Sequence, residues 1–440
     1  MQTAEKINLK DKFVTAYDRF AEIYKSNNAF VNEQRAKAIQ RFAALGLPTK
    51  RNEEYKYANV DTLLRTDFEL DYNPDSRLDK ETVDSLFVTG LDAHKIVLVN
   101  GVYSDELSDT IAEEGITVCS LTDAFEKYPV TVEKHFTNYT TGETDGFSAL
   151  NMAFAHHGVY IHVAAKTVAA KPIWVLNIGK AKNNTLLQSR NLIVVERFAQ
   201  AELVSFFASI EGENTTLSNT VSEVYVGHNA NLKHYRIQNG NTNAAQVLTS
   251  EVFVEANANY ITNNITLSGG WVRNNLNISL NGAAGHAELY GLYLPVGKQL
   301  VDNHTLVDHR APNCTSNELY KGIVDDEGTA IFNGKVFVRK DAQKTNAYQS
   351  NKNILLTDTA TVNTKPQLEI YADDVKCSHG SSTGSLDTEA MFYLRSRGID
   401  ETNAKALLMY AFANDIINHI EIAPLREYVD SIISQRFINY

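Results

Sequence analysis

Between about residues 158 and 380 the chain gives up helical periodicity for short β-rich runs, punctuated by small-residue turns at a near-constant spacing. The runs N-L-I-V-V-E-R-F-A-Q-A-E-L-V-S-F-F-A-S, S-E-V-Y-V-G-H-N-A-N-L-K-H-Y-R-I and S-E-V-F-V-E-A-N-A-N-Y-I-T-N-N-I show the pattern. Turns around Ala201, Ala230, Ala258 and Ala284 recur at intervals of about 26–29 residues, which is the spacing of a repeat architecture. Two all-β solutions compete. A sandwich or barrel needs hairpins, hence Asn-Gly turns between strands of similar length. A parallel β-helix needs strands separated by tight corners, with small residues inside. The recurrent strand–(G/E)-x-N-A-N–strand unit suits the β-helix better.

Helical patterns flank this core. Phe13, Ala16, Tyr17, Phe20, Ile23 and Tyr24 fall on one face of a helix over 10–26. A second helix is expected over 30–45, stopped by Gly46 and Pro48. Lys95–Asn100 reads as a short buried strand ending in an Asn-Gly turn. At the other end Asp387 is placed to cap a helix that Gly398 terminates, and Asp400 to cap a longer one. Pro424 breaks that helix, and a final one carries Leu425, Tyr428, Val429, Ile432, Ile433 and Phe437. The expected organisation is an N-terminal helical or mixed region (1–150), a β-helix core (158–380) and a C-terminal helical domain (384–440). Such terminal helices pack against the solenoid or dock a partner.

The net charge of −12 argues against a nucleic-acid binder, which carries a basic surplus. Three cysteines, Cys119, Cys314 and Cys377, are too few and too scattered for a disulfide framework. The first residues lack the apolar core of a signal peptide, and no run of about 18 apolar residues occurs. A cytoplasmic location is therefore expected.

No nucleotide site is expected in this chain. Gly328–Lys335 (G-T-A-I-F-N-G-K) has one residue too many for a phosphate-cradling loop, and Val336 stands where a magnesium-binding Ser or Thr belongs. H-E-x-x-H and C-x-x-C are both missing. A strand scatters His156, His157 and His162 over both faces. Asp302, His304 and Asp308 share one strand face, with His309 on the other. That set suits a hard or borderline divalent metal, but charged residues are common on the outer face of a sheet, so a solvated face is expected. Asp373 and Asp374 are adjacent, which fits a corner better than a catalytic pair.

Cys377 and His379 are two residues apart at the end of a strand-like segment, so their side chains emerge on the same face. Both are metal-ligand types. A buried thiol beside a hydrogen-bonded histidine is the structural alternative. As ligands they are two where three or four are needed. They therefore read as half of a site that another subunit completes.

The segment holding them, T-K-P-Q-L-E-I-Y-A-D-D-V-K-C-S-H-G-S-S-T-G, followed by F-Y-L-R-S-R-G-I, resembles the SufB/SufD family of the SUF iron–sulfur cluster assembly machinery. V-D-N-H-T-L-V-D-H-R-A-P-N-C-T-S-N-E-L-Y-K-G-I, I-F-N-G-K-V-F-V-R-K-D-A-Q-K-T-N-A-Y-Q-S-N-K-N-I-L-L, P-T-K-R-N-E-E-Y-K-Y and A-L-N-M-A-F are similar to the same family. The C-x-H-G form resembles that of its SufD branch. The resemblance implies a right-handed parallel β-helix between helical terminal domains. It implies a non-catalytic scaffold that pairs with a SufB-like paralogue and carries a SufC-like ABC ATPase on its C-terminal helical domain. A homodimer is expected when the chain is isolated. The nascent iron–sulfur cluster, or iron, would be transient and shared with SufB, with His379 as candidate metal ligand and Cys377 as a secondary one. An aid to iron acquisition is implied, and ATP hydrolysis would belong to SufC. The rival functions are a polysaccharide-active β-helix enzyme and a purely structural β-helix.

Overall fold

The computed structural model describes residues 8–139, 145–180, 183–210 and 215–438. Its centre is a β-solenoid of about seven turns. Consecutive strands alternate between two ten-stranded sheets, so each strand pairs in parallel with the strand one turn before and one turn after. The first sheet holds Thr185–Val195, Thr216–Val226 and Ala244–Val254, and continues through Trp271–Leu280, Leu300–His309, Thr329–Val338 and Thr361–Ile370. The second runs from Ile173–Gly179 to Thr345–Leu355 and Val375–Gly384. Parallel pairing rules out the sandwich. Hairpin pairing is confined to the start, where Val102–Tyr103 folds back on His94–Val99 through Asn100 and Gly101, both with positive φ.

The corners explain the repeat. Phe198, Asn229, Asn257, Ala284, Asn313 and Lys344 all adopt left-handed backbone conformations. Asn tolerates this conformation because its short polar side chain bonds locally. Each corner N–H then donates to the carbonyl of the next corner: Phe198 to His228, Asn229 to Ala256, Asn257 to Ala283, Ala284 to Pro312, Asn313 to Gln343 and Lys344 to Asp374. One sequence reading shifts here. The turn expected around Ala201 lies at Phe198 and Ala199, and Ala201 is already inside the strand Gln200–Ser209. A large exposed Phe occupies a position that Asn or Ala takes in the next four turns, which hid the corner.

Three apolar layers hold the molecule together. The solenoid interior packs Val224, Val252, Ile278 and Val307 of the first sheet against Leu203, Leu232, Tyr260 and Leu289 of the second. The outer face of the first sheet is covered by N-terminal helices Leu9–Ile23, Ala29–Leu45 and Gly146–Ala153, through Phe13, Phe42 and Phe147. The outer face of the second is covered by Glu401–Ile417 and Ala423–Ile438, through Met409, Ile416, Val429 and Ile433. Each such side chain contributes about 1.5–3 kcal/mol on burial. Asp387 and Asp400 cap their helices as the spacing predicts, and Gly398 has φ of 88°. Pro424 sits in the first turn of the last helix, where its missing N–H costs no helical bond.

Polar pins lock these layers. Asn151, from A-L-N-M-A-F, donates to the carbonyls of Ser189 (2.8 Å) and Asn219 (2.9 Å) on two successive turns. Arg190 is fully buried and meets Glu223 at 2.7 Å. Lys321, from E-L-Y-K-G-I, is buried under the Glu401–Ile417 helix, where it donates to the Phe412 carbonyl (3.0 Å) and to Asp415.

Candidate functional site

The last solenoid turn is the least finished part of the sheets. Val375–Gly384 pairs with Thr345–Leu355 on one side and ends its sheet, and Thr361–Ile370 ends the other. Both therefore carry a free ladder edge among the described residues, a ready template for another chain. Residues 378–385 are all exposed.

The face on which Cys377 and His379 lie follows from register. Cys377 pairs with Ala347 and His379 with Gln349. Thr345, Ala347, Gln349, Asn351 and Asn353 are buried, alternating with more exposed neighbours, so they point into the solenoid. Residues in register on adjacent strands share a face. Cys377 and His379 thus point side by side toward the interior, at the open end where no further turn covers them. Val336, Val338, Ala342, Ala347 and Ala372 form a small apolar plug there, against which Val375 and Cys377 pack.

The two differ chemically. Cys377 is half-buried, and burial pushes its thiol above the ordinary range, with a backbone bond at Ala347 opposing the shift. The thiolate is the ligand form, so this thiol needs a metal or cation to deprotonate it at neutral pH. His379 is exposed and presents imidazole nitrogens to the open end. Among the described residues, no three His, Cys, Asp or Glu side chains come together in a way that could hold a metal ion. Cys377 and His379 alone supply two donors where three or four are needed.

Asp302 and His304 do share a face, 2.9 Å apart, but not with solvent. The segment Glu53–Ala58, from R-N-E-E-Y-K-Y-A, crosses the first sheet above them. Glu54 lies 3.1 Å from His304, Arg273 bonds Asp302 at 2.5 Å, and Trp271 donates to the Ala58 carbonyl at 2.6 Å. Burial works against the Asp302 carboxylate, but Arg273 and then His304 outweigh it and hold its pKa low. The solvated outer face expected there is instead a buried ionic clasp, because a strand's periodicity does not reveal a distant segment crossing it. Asp308 is separate and pairs with Arg310 (2.7 Å) and Arg339 (2.8 Å). His309 points inward, 2.9 Å from Ser316. A cleft of about 460 Å³ beside the clasp is lined by Glu54, Asp145, Glu251, Arg273, His304 and Lys335. Several of these are already paired, including Arg273 with Asp302 and Lys335 with Glu369.

His157 Nε2 donates to the Tyr72 carbonyl (3.2 Å), His156 packs on Tyr24, and His162 faces Glu196 at 3.8 Å, so the three do not converge. Asp373 and Asp374 lie in the corner before Val375, where the Asp374 carbonyl accepts from Lys344. Gly328–Lys335 runs into the strand Thr329–Val338 and not into a helix, a geometry unlike a phosphate loop.

Sequence reasoning passed over the row behind His379. Glu318, Gln349 and His379 stand in register on successive turns, and Gln349 Nε2 donates to Glu318 Oε2 at 2.8 Å. Their spacing of one solenoid turn was the available signal.

The C-terminal helices present a second exposed feature. Thr388–Ser396 buries none of its residues, and it displays Phe392 (75% exposed) and Tyr393 (57%). Leu407 on the next helix is also exposed.

Residues 177–412 match the core domain of SufBD proteins of the SUF system for FeS cluster assembly, and residues 7–175 match the SufBD N-terminal region. An iron–sulfur cluster assembly SufBD family protein of Synechocystis is 30% identical over 97% of this chain and 96% of its own. The iron–sulfur cluster assembly protein SufD of Escherichia coli is 29% identical over 96% of each chain. SufD of Bacillus subtilis is 24% identical over 75% of this chain and 76% of its own. No helix among the described residues is long and apolar enough to cross a membrane. Solenoid, flanking helices and full-length match agree: the chain belongs to the SufBD family of iron–sulfur cluster assembly proteins.

Proposed function

We propose that this chain is the SufD-type, non-catalytic scaffold subunit of a cytoplasmic SufB–SufC–SufD complex. The observation that carries the reading is the open solenoid end, where His379 faces an uncovered interior beside two free strand edges. A SufB-like paralogue pairs there and supplies the missing ligands. The iron or iron–sulfur cluster handled at that junction is cargo, held transiently by His379, with Cys377 as a secondary ligand. The 158–380 core forms the junction, and the 1–150 region braces one of its sheets. The 384–440 domain docks a SufC-like ABC ATPase through the exposed face around Phe392, Tyr393 and Leu407. ATP-driven movement of that ATPase reshapes the junction, and the complex aids iron acquisition. In isolation the same open end pairs two copies of the chain.

Co-purification tests the reading. The tagged chain, co-expressed with a SufB-like paralogue and an ABC-type ATPase, retains both through size exclusion. Retention of neither partner contradicts the proposal and favours a purely structural β-helix.

A further inference from the structure

The last three positions of the register row that ends at His379 are polar, although the row lies on the inward face of a solenoid. Glu318 and Gln349 are 2% and 3% exposed. With Gln349 Nε2 committed to the Glu318 carboxylate, Gln349 Oε1 is buried and without a hydrogen-bond partner. A buried unpaired carbonyl costs about 1–3 kcal/mol, so its retention calls for a partner. Space for the carboxamide is made from the opposite sheet by Gly334, where an added Cβ would meet Gln349 Nε2 at 2.4 Å. The next residue along the row is His379, whose backbone is Gln349's ladder neighbour about 4.8 Å away.

The geometry points to Gln349 as a positioning residue for His379: its carbonyl accepts the N–H of one ring nitrogen and leaves the other, unprotonated nitrogen directed at the metal cargo. This inference rests on the proposed ligand role of His379. The Glu318 carboxyl accepts from Gln349 Nε2 and so holds the carboxamide in this direction. The second ring nitrogen of a metal-bound histidine commonly has such an acceptor, which sets tautomer and ring orientation. Closure of the open end by a second subunit removes competing water and completes the contact.

The test uses the metal-free complex of the full chain with its paralogue and ATPase, with nitrogen-labelled histidine in this chain and the His379 signals assigned by omission in His379→Gln. The wild type shows one tautomer of the neutral His379 ring. Gln349→Leu mixes the tautomers and lowers cluster yield about tenfold. Gly334→Ala, which displaces the carboxamide without altering its chemistry, moves both readouts the same way, and it decides the matter where Gln349→Leu does not assemble. An unchanged tautomer in either assembled variant overturns the positioning role, even if yield falls. Wild-type cluster yield from His379→Ala overturns instead the ligand reading on which it rests.

Discussion

Gln349 and His379 occupy paired positions on the last two strands of one sheet, the first sealed inside the solenoid and the second exposed at its end. The row passes from a buried polar interior to an uncovered surface within one strand spacing. A closed solenoid cap would place apolar residues or a helix over that boundary. Here the terminal strands are left open, a ready template for pairing with another chain.

The C-terminal helices should separate folding from partner binding. Phe392→Asp alters an exposed side chain that packs on nothing buried, so stability changes by no more than about 0.5 kcal/mol. Titration calorimetry against the ABC-type ATPase should show binding weakened by about tenfold or more. Unchanged affinity excludes this face as the docking site.

The buried pair Arg190–Glu223 should behave as a structural pin. Glu223→Ala leaves a guanidinium in the core without its carboxylate and costs about 3–5 kcal/mol in denaturant unfolding. The double change Arg190→Met with Glu223→Leu recovers most of that loss. A single variant as stable as wild type contradicts the pinning role.

Glu251 should make stability fall with rising pH. Burial, with Glu223 and Asp145 adding to it, pushes its carboxyl from an ordinary 4.5 to about 8, against the bond from Asn277. The folded chain keeps a proton that the unfolded chain releases, so stability declines as pH rises through that interval. Glu251→Gln retains an acceptor for Asn277 and should be more stable than wild type by about 1–3 kcal/mol at pH 8. The difference should vanish near pH 4.5. A difference that is constant with pH places the cause elsewhere.

Much of this fold was legible in the chain because its repeat is written in corner residues. Asn229 and Asn257 advertise left-handed corners, and strand–corner–strand units of constant length leave little but a solenoid. Helix ends were equally readable, since Asp387, Asp400 and Gly398 act through local geometry. Contacts between distant segments were not. Asp302 and His304 look like a solvated face until Glu54 and Tyr55 are known to lie across them. At the candidate site the common face of Cys377 and His379 came from strand alternation, and the half-complete ligand set from counting. Gln349 stayed hidden because a glutamine carries no signal until register sets it behind His379.

The most direct measurement is the iron–sulfur cluster content, by visible absorbance and iron analysis, of the complex reconstituted with His379→Ala. The account predicts that the variant assembles with both partners and forms cluster at a yield at least about tenfold below wild type. A fully assembled variant with wild-type cluster content would contradict it.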